Sequence, residues 1–374
     1  MRIHKALLPV SWLYGLGVTA RNLLFDCGLL KSRSFGIPVI CVGNLAVGGT
    51  GKTPHVEHLV RLLKDQYKVA VLSRGYKRRT KGFVLADEHS TALDIGDEPM
   101  QIHGKYSDIT VAVDENRCEG IERLIALGVE VVLLDDAFQH RYVSPSLSIL
   151  LMEHERLKGD RLMPAGRLRE PLRGMRRADI VVVTKCPDLM GDGDYEEAVR
   201  QLPLLTTSQA TPSPSQKSLG SSKSPRLFFS RMAYKSLEPV FHGNDDGSPT
   251  IGDDTHVLLV TGIANAAPLE EELRRHTSHL RHLAYGDHHA FSDSDFADIN
   301  NTFAELPEPR LLVTTEKDAA RLRTSKGLSP EAEAHACLIP IQVEMLRNEQ
   351  DIFDQAIIRH VKEKTRIDST SKTP

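Results

Sequence analysis

The feature that most restricts the fold of this chain is a glycine-rich segment directly after an apolar run. Residues Val39–Val42 are apolar, and the chain continues as GNLAVGGTGKTP before an amphipathic stretch from His55 to Leu63. Glycines let backbone N–H groups turn around phosphate oxygens, a lysine in this position reaches the β- and γ-phosphates, and the next threonine can ligate Mg²⁺. The segment predicts a phosphate-binding loop between a strand and a helix.

The predicted ATP-binding residues are those of the loop itself. They are Ala46, Val47, Gly48, Gly49, Thr50, Gly51, Lys52 and Thr53. The strict pattern G-x-x-x-x-G-K-[ST] places glycine at position 46, where this chain has Ala46. The strand before the loop and the helix after it still favour nucleotide binding over a glycine-rich turn that binds nothing.

A pair of adjacent acids supplies the expected partner of this loop. Asp135 and Asp136 follow the apolar run Val131–Leu134, and an acid at the carboxyl end of a parallel strand is where a P-loop fold holds Mg²⁺. The alternative is a helix cap with a solvated neighbour. Which of the two aspartates would contact the metal is left open.

The remaining chain alternates strand-like runs with helix-length segments, which predicts a parallel α/β sheet with helices on both faces. A length of 374 residues suggests two or three domains, and the composition is that of a globular protein. We therefore expect a P-loop NTPase-like domain followed by a smaller C-terminal α/β domain. The predicted divisions are an N-terminal helix at 1–36, the P-loop domain at 37–205, a Ser/Pro-rich loop at 206–225, the C-terminal domain at 226–360 and a disordered tail at 361–374.

The N-terminal segment 1–36 reads as a helix that lies on a membrane surface. Its charge-free stretch is shorter than the roughly 18 residues needed to span a bilayer, and it is flanked by five basic residues against one acid. The apolar side would consist of Trp12, Leu13, Leu16, Leu23 and Leu24. A signal peptide and a core-packing helix are the alternatives.

Three classes of P-loop protein compete on the residues alone. A GTPase would need an aspartate where this chain has Pro187, after Thr184 and Lys185, and a partitioning-type ATPase would need an additional lysine early in the loop. A small-molecule kinase needs a base and phosphate-neutralising cations. That need is met by Asp97 and Glu98 in an acidic turn and by Arg74, which follows the second predicted strand. The alternative is that the two acids merely cap a helix. The basic runs have no aromatic residues interleaved with them, so they do not indicate nucleic-acid binding.

A later segment, GDHHAF, places two histidines beside an aspartate. Metal ligation is possible there, but an acid/base or orienting role is preferred, because no third ligand follows at helical spacing.

Taken in order, the motifs GNLAVGGTGKTP, SRGY, GDEP, DDAFQHR, LMPAGRLREP, VVVTK, TGIANAAP, GDHHAF and VTTEKDAARL resemble the tetraacyldisaccharide 4′-kinase (lipid A 4′-kinase) family. The likeness covers most of the chain, and DDAFQHR and PAGRLREP are its most specific parts. It implies transfer of phosphate from ATP to the 4′-hydroxyl of a tetraacylated disaccharide 1-phosphate, forming lipid IVA. It also implies a peripheral enzyme at the cytoplasmic face of the bacterial inner membrane, whose partners are this lipid and an anionic membrane surface.

The resemblance also implies roles for single residues. Asp97 would be the base, paired with His288, and Lys52 would act on the transferred phosphate. Thr53 and Asp135 or Asp136 would hold Mg²⁺ with help from Glu98. The resemblance assigns phosphate contacts to Gln139 and Arg169.

Overall fold

A computed structural model describes residues 5–157, 159–202, 225–241, 249–287, 289–324 and 327–370. Apart from Pro225, the predicted loop at 206–225 lies outside the described residues, and so does His288. Contacts divide the chain into two compact units, Met1–Met232 with Val343–Pro374, and Ala233–Gln342.

Eleven α-helices occur in the described residues. They are α1 Leu8–Asp26, α2 Lys52–Leu63, α3 Ala92–Ile95, α4 Asp97–Lys105, α5 Arg117–Ala126, α6 Asp192–Arg200, α7 Ala267–Arg274, α8 Asp293–Ala304, α9 Glu316–Thr324, α10 Pro330–Ala334 and α11 Gln350–Thr370. Fourteen strands accompany them in the same part of the chain. They are β1 Val39–Asn44, β2 Val69–Ser73, β3 Val84–Leu85, β4 Thr110–Val113, β5 Val131–Asp135, β6 Leu147–Glu153, β7 Ile180–Thr184, β8 Arg226–Tyr234, β9 Glu238–Pro239, β10 His256–Thr261, β11 Leu280–Ala284, β12 Arg310–Thr315, β13 Ala336–Ile339 and β14 Ile341–Met345.

The first unit is built on a sheet with the strand order β14-β8-β7-β6-β1-β5-β2-β4-β3. The pairs from β4 across to β8 are parallel, and the short edge strand β3 runs antiparallel to β4. Every residue of β1, β2, β5 and β7 is buried. Strands buried on both sides explain why the sequence shows continuous apolar runs rather than alternation.

Helices cover both faces of this sheet. On one face Val39 and Cys41 of β1 pack in the cluster that includes Ile121 of α5 and Val199 of α6. On the other face Ile40 and Val42 join Leu59 of α2 and Ile357 of α11, among others. The predicted P-loop-type α/β architecture with helices on both faces is confirmed.

The second unit has its own five-stranded sheet, in the order β11-β10-β12-β13-β9. Its strands are parallel except for the β9–β13 pair. Leu258 and Val260 of β10 pack against Phe296, Ile299 and Phe303 of α8. A second, smaller α/β unit is therefore present, as the sequence indicated, although it is inserted between two segments of the first unit.

The predicted limits of the C-terminal domain, 226–360, need correction at both ends. Strand β8 pairs in parallel with β7, which assigns residues up to Met232 to the first unit. Helix α11 returns to the first unit, where Phe353 stacks edge-on against Phe228 at a centroid distance of 5.2 Å. The predicted disordered tail from 361 is also wrong as far as Thr370, because α11 extends that far.

Helix α1 has one packed side and one exposed apolar side. Ser11, Gly15 and Phe25 are buried, whereas Trp12, Leu13 and Leu16 are 76%, 72% and 67% exposed. Leu23 and Leu24 are exposed as well. None of the helices described is sufficiently long and apolar to cross a bilayer.

Candidate active site

The glycine-rich loop lies between the carboxyl end of β1 and the start of α2. Gly51 caps α2 with φ of 84°, in the left-handed region that favours glycine, and no side chain caps the helix. The first N–H groups of a helix have no intrahelical acceptor, so the start of α2 offers donors and positive dipole to an anion. Gly48 and Gly49 are exposed. The glycine-rich loop thus lies between a strand and a helix N-terminus, as the sequence predicts.

Thr50 is the residue that fastens this loop to the sheet. Its hydroxyl accepts a hydrogen bond of 2.7 Å from the Asn44 amide, and its carbonyl accepts one of 2.9 Å from the Thr184 hydroxyl. All three residues are buried. Ala46 and Val47 bond instead to the segment at 167–168, through a β-bridge from Ala46 to Leu168 and a bond of 2.8 Å from Val47 N to the Arg167 carbonyl. The loop shape is thus held from both sides without a glycine at position 46.

His55 of α2 adds a second support. Its Nδ1 lies 2.7 Å from the Gly51 carbonyl and its Nε2 lies 3.2 Å from the Ser230 hydroxyl on β8. Burial lowers the pKa of His55 to about 4, so the ring is neutral near pH 7. A neutral ring can donate at Nδ1 and accept at Nε2, which matches these two partners.

The two predicted metal-binding aspartates lie in different environments. Asp136 has φ of 50° and pairs with Lys52 Nζ at 3.7 Å and with Arg169 Nη1 at 2.8 Å. Burial opposes its ionisation, but Lys52 and Arg169 outweigh that effect and hold the pKa of Asp136 below its usual value. Asp135 is buried, its Oδ1 has no hydrogen-bond partner, and burial raises its pKa to about 7.

This difference predicts a pH-dependent effect of Asp135→Asn in metal-free protein. A carboxyl with a pKa near 4 unfolded and about 7 folded favours unfolding progressively between those values, and fully above about pH 7. Asparagine carries no such penalty. We expect Asp135→Asn to raise the melting temperature more at pH 8 than at pH 5, measured in the presence of a chelator.

Asp136→Asn is the matched control for that experiment. Its carboxylate is stabilised by Lys52 and Arg169, so its loss should lower the melting temperature at pH 8. An Asp135→Asn effect of equal size at both pH values would show that the Asp135 carboxyl does not titrate in this range.

The oxygen donors present are suited to Mg²⁺. Asp135 offers a buried carboxylate oxygen without a partner, and a cation there would compensate the cost of its burial. The described residues contain no group of three or more His, Cys, Asp or Glu side chains arranged around one metal position. Mg²⁺ commonly takes one or two carboxylates and completes its shell with water and phosphate oxygens. Thr53 and the two aspartates fit that donor set, with the Glu98 charge acting on Asp135.

The candidate acceptor side lies at the start of α4. Asp97 and Glu98 occupy the first turn of this helix and are partly exposed. Gly96, with φ of 93°, comes so close to the backbone of Gly75 and Tyr76 that a Cβ there would lie 3.1 to 3.2 Å from it. The acidic turn and the end of β2 are therefore neighbours.

Gln139 and Arg169 have partners within the protein. Arg169 pairs with Asp136, and the Gln139 amide donates to the Asn44 carbonyl at 2.7 Å and to Glu170 at 3.0 Å. These contacts hold both side chains beside the loop and the acids. Glu170 is buried and also forms two bonds, of 2.8 and 2.9 Å, with Arg177. Sequence reasoning assigned Glu170 no role, although its place in the PAGRLREP motif was a signal that could have marked it.

A second missed group surrounds Arg74. Arg117 is buried beside Asp114, whose Oδ2 has no hydrogen-bond partner, and the Arg117 Nε is likewise unpaired. Burial, together with the charges of Arg117, Arg21 and Arg74, lowers the pKa of His140 to about 4. A positively charged region thus adjoins the aspartates. Arg117 follows β4 in an ordinary helical stretch, so no sequence signal marked it.

A phosphate loop opening α2, with a lysine facing an aspartate at the end of the neighbouring parallel strand, defines a P-loop nucleotide-binding protein. The family model for LpxK, described as tetraacyldisaccharide-1-P 4′-kinase, matches residues 3–362. The chain belongs to this family.

Relatives and a solved structure agree with that assignment. The chain is 50% identical over 385 residues to the tetraacyldisaccharide 4′-kinase of Bacteroides thetaiotaomicron, covering 100% of this chain and 97% of that protein. It is 42% identical to the enzyme of the same name from Porphyromonas gingivalis W83, covering 97% of this chain and 99% of that protein. LpxK from Aquifex aeolicus, solved in complex with ATP, has a TM-score of 0.69 at 30% identity and covers 95% of this chain and 98% of its own.

Proposed function

We propose that this chain is a kinase that transfers the γ-phosphate of ATP to the 4′-hydroxyl of tetraacyldisaccharide 1-phosphate, producing lipid IVA for lipid A synthesis. The observation that carries the proposal is the family match across nearly the whole chain. In this chain the P-loop lysine, Lys52, lies 3.7 Å from Asp136, which directly follows the interior strand β5. The cofactors are ATP and Mg²⁺.

The residues divide the work of phosphoryl transfer between alignment and charge compensation. The backbone from Ala46 to Thr53 and the Lys52 ammonium hold the phosphates. Thr53, Asp135 and Asp136 hold Mg²⁺, which would neutralise charge on the phosphate oxygens when bound. Asp97 accepts the proton of the attacking sugar hydroxyl, with His288 as its partner and Glu98 supporting the metal side.

The cationic region around Arg74 fits the anionic end of the acceptor. Arg169 and Gln139 also position Asp136 and the loop residue Asn44. Because Arg169 bonds to Asp136 through Nη1, a direct phosphate contact through its other guanidinium nitrogens is compatible with that pair.

Incubation with radiolabelled ATP and a lipid A disaccharide monophosphate tests the proposed reaction directly. Label should appear in the lipid and depend on Mg²⁺. ATP hydrolysis stimulated by protein or nucleic acid, with no labelled lipid, would indicate a partitioning-type ATPase instead.

We further propose that the protein works as a peripheral enzyme on the cytoplasmic face of the inner membrane, with α1 lying in the interface. The exposed side of α1 carries Trp12 and four leucines, whereas its packed side bonds to the site region. There the Tyr14 hydroxyl donates to the Arg169 carbonyl at 2.7 Å, and Arg21 donates to the Gln139 carbonyl at 3.1 Å. Because Arg33 pairs with Glu122, the basic flanks contribute less net positive charge than the sequence suggested.

Leu13→Ser/Leu16→Ser should weaken binding to anionic vesicles by about a hundredfold or more, since each leucine buried in an apolar phase is worth roughly 1.5–3 kcal/mol. Activity on detergent-dispersed lipid should stay near normal. Deleting the helix is a poorer test, because it would also remove the Tyr14 and Arg21 contacts.

The matched control is Leu127→Ser/Leu189→Ser, which removes two exposed leucines from elsewhere on the surface. It should leave vesicle binding unchanged, as cosedimentation would show. Equal losses in both variants, or no binding by the unmodified protein at low salt, would mean that α1 is only a packing element.

A further inference from the structure

A strongly basic loop connects β2 to the rest of the first unit. It comprises residues 74–82, here called the basic loop, and its exposed or half-buried cations include Lys77, Arg79 and Lys81. None of these three forms an ion pair with a carboxylate in the described ranges, and the nearby acid Asp94 is already bonded to Thr91. Tyr76, between Arg74 and Lys77, is 65% exposed.

The backbone of the basic loop is held by one buried arginine. The Arg78 side chain is 2% exposed, pairs with Glu115 at 2.7 Å and donates to the Gly82 carbonyl at 2.7 Å. The Thr80 hydroxyl donates to the Asp94 carbonyl at 2.5 Å, and Arg79 N donates to the Leu93 carbonyl at 2.7 Å. With Arg78 turned inward, its neighbours Lys77 and Arg79 are left on the outside.

The basic loop lies near both the segment that follows α1 and the acceptor side. Helix α5 contacts the end of the loop and that segment: Arg123 lies over the ring of Phe83, the residue after the loop, at 5.2 Å, and Glu122 pairs with Arg33, in the segment that follows α1. Gly96, which precedes Asp97, contacts the backbone of Tyr76. The loop therefore lies near the segment that follows α1 and beside the acidic turn.

We propose that the basic loop is a second contact with anionic phospholipid headgroups, acting beside α1. The proposed headgroup contact rests on the proposed function only because an enzyme with a lipid acceptor acts at a membrane surface. Exposed ammonium and guanidinium groups around an amphipathic aromatic ring match a headgroup layer, where each basic residue near the surface adds about 1 kcal/mol of attraction. A single bound phosphate would instead call for converging, desolvated donors.

Vesicle cosedimentation of Lys77→Gln/Arg79→Gln/Lys81→Gln tests this contact. Partitioning onto phosphatidylglycerol-containing vesicles at low salt should fall by about tenfold to a hundredfold, given the attraction per basic residue. Binding to pure phosphatidylcholine should change little. The control Arg359→Gln/Lys362→Gln/Arg366→Gln removes three exposed cations from α11. Helix α11 packs on one face of the sheet, whereas α1 contacts Leu162 on the other face through Gly15.

The outcomes distinguish binding to a lipid surface from binding to a single phosphate. Unchanged partitioning of the loop variant, or an equal fall in the α11 control, overturns the proposal. Unchanged partitioning with a raised KM for detergent-dispersed acceptor would show that the loop binds the substrate phosphate instead. Phosphotransfer by the unmodified protein in detergent reports on the proposed function separately, so failure of one inference can be told from failure of the other. A melting curve confirms that each variant is folded.

Discussion

Lys52→Ala is expected to abolish most phosphotransfer, with turnover falling by about three orders of magnitude. The lysine begins α2 and its ammonium lies 3.7 Å from Asp136, at the mouth of the glycine-rich loop. It points at the acids rather than into the core, so its removal should cost catalysis far more than stability. Turnover with saturating ATP and acceptor, together with a melting curve, measures both effects.

Lys64→Ala is the control on the same helix. Lys64 caps the other end of α2 and pairs with Asp108 on the surface. An exposed pair of this kind is worth little, so this variant should keep normal activity. Near-normal turnover in folded Lys52→Ala protein would remove the nucleotide-site assignment.

The second large effect is expected at the proposed base. Asp97→Ala and His288→Ala should each lower kcat by about 10²- to 10⁴-fold while changing the KM for ATP little, because the proposed role of both is at the acceptor hydroxyl. His289→Gln provides a neighbouring control. The His289 Nε2 is occupied by Asp295 at 2.8 Å, and its ring stacks on Tyr285.

The double variant Asp97→Ala/His288→Ala distinguishes one functional unit from two. Residues that act together show non-additive losses, so the double variant should be little worse than the poorer single one. Multiplicative losses would assign independent roles to the two residues. Normal rates in both single variants would leave Asp97 as a helix-capping acid.

The strands and the phosphate loop could be predicted because their signals are local. Each parallel strand buried on both sides needs an uninterrupted apolar run, and the runs Val39–Val42 and Val131–Leu134 both lie within strands, β1 and β5. The loop likewise needs glycines and a lysine in a fixed order. Its family assignment came from ordered motifs, which the family match confirms.

The boundary between the two units could not be predicted in the same way. Strand β8 and helix α11 are separated by more than a hundred residues, yet both belong mainly to the first unit. Their place is decided by β8 pairing with β7 and by contacts such as Phe228 with Phe353. Such contacts depend on complementary surfaces brought together by the fold, which leave no periodicity in the sequence.

The same distinction holds within the candidate site. The sequence by itself determined that a P-loop lysine, a threonine and two adjacent aspartates are present at strand ends, because chain order alone dictates those positions. Only the tertiary structure decided that Arg169 and Lys52 keep Asp136 ionised while burial raises the pKa of Asp135 to about 7. Ionisation depends on burial and on charges from distant segments, and both exist only once the chain has folded.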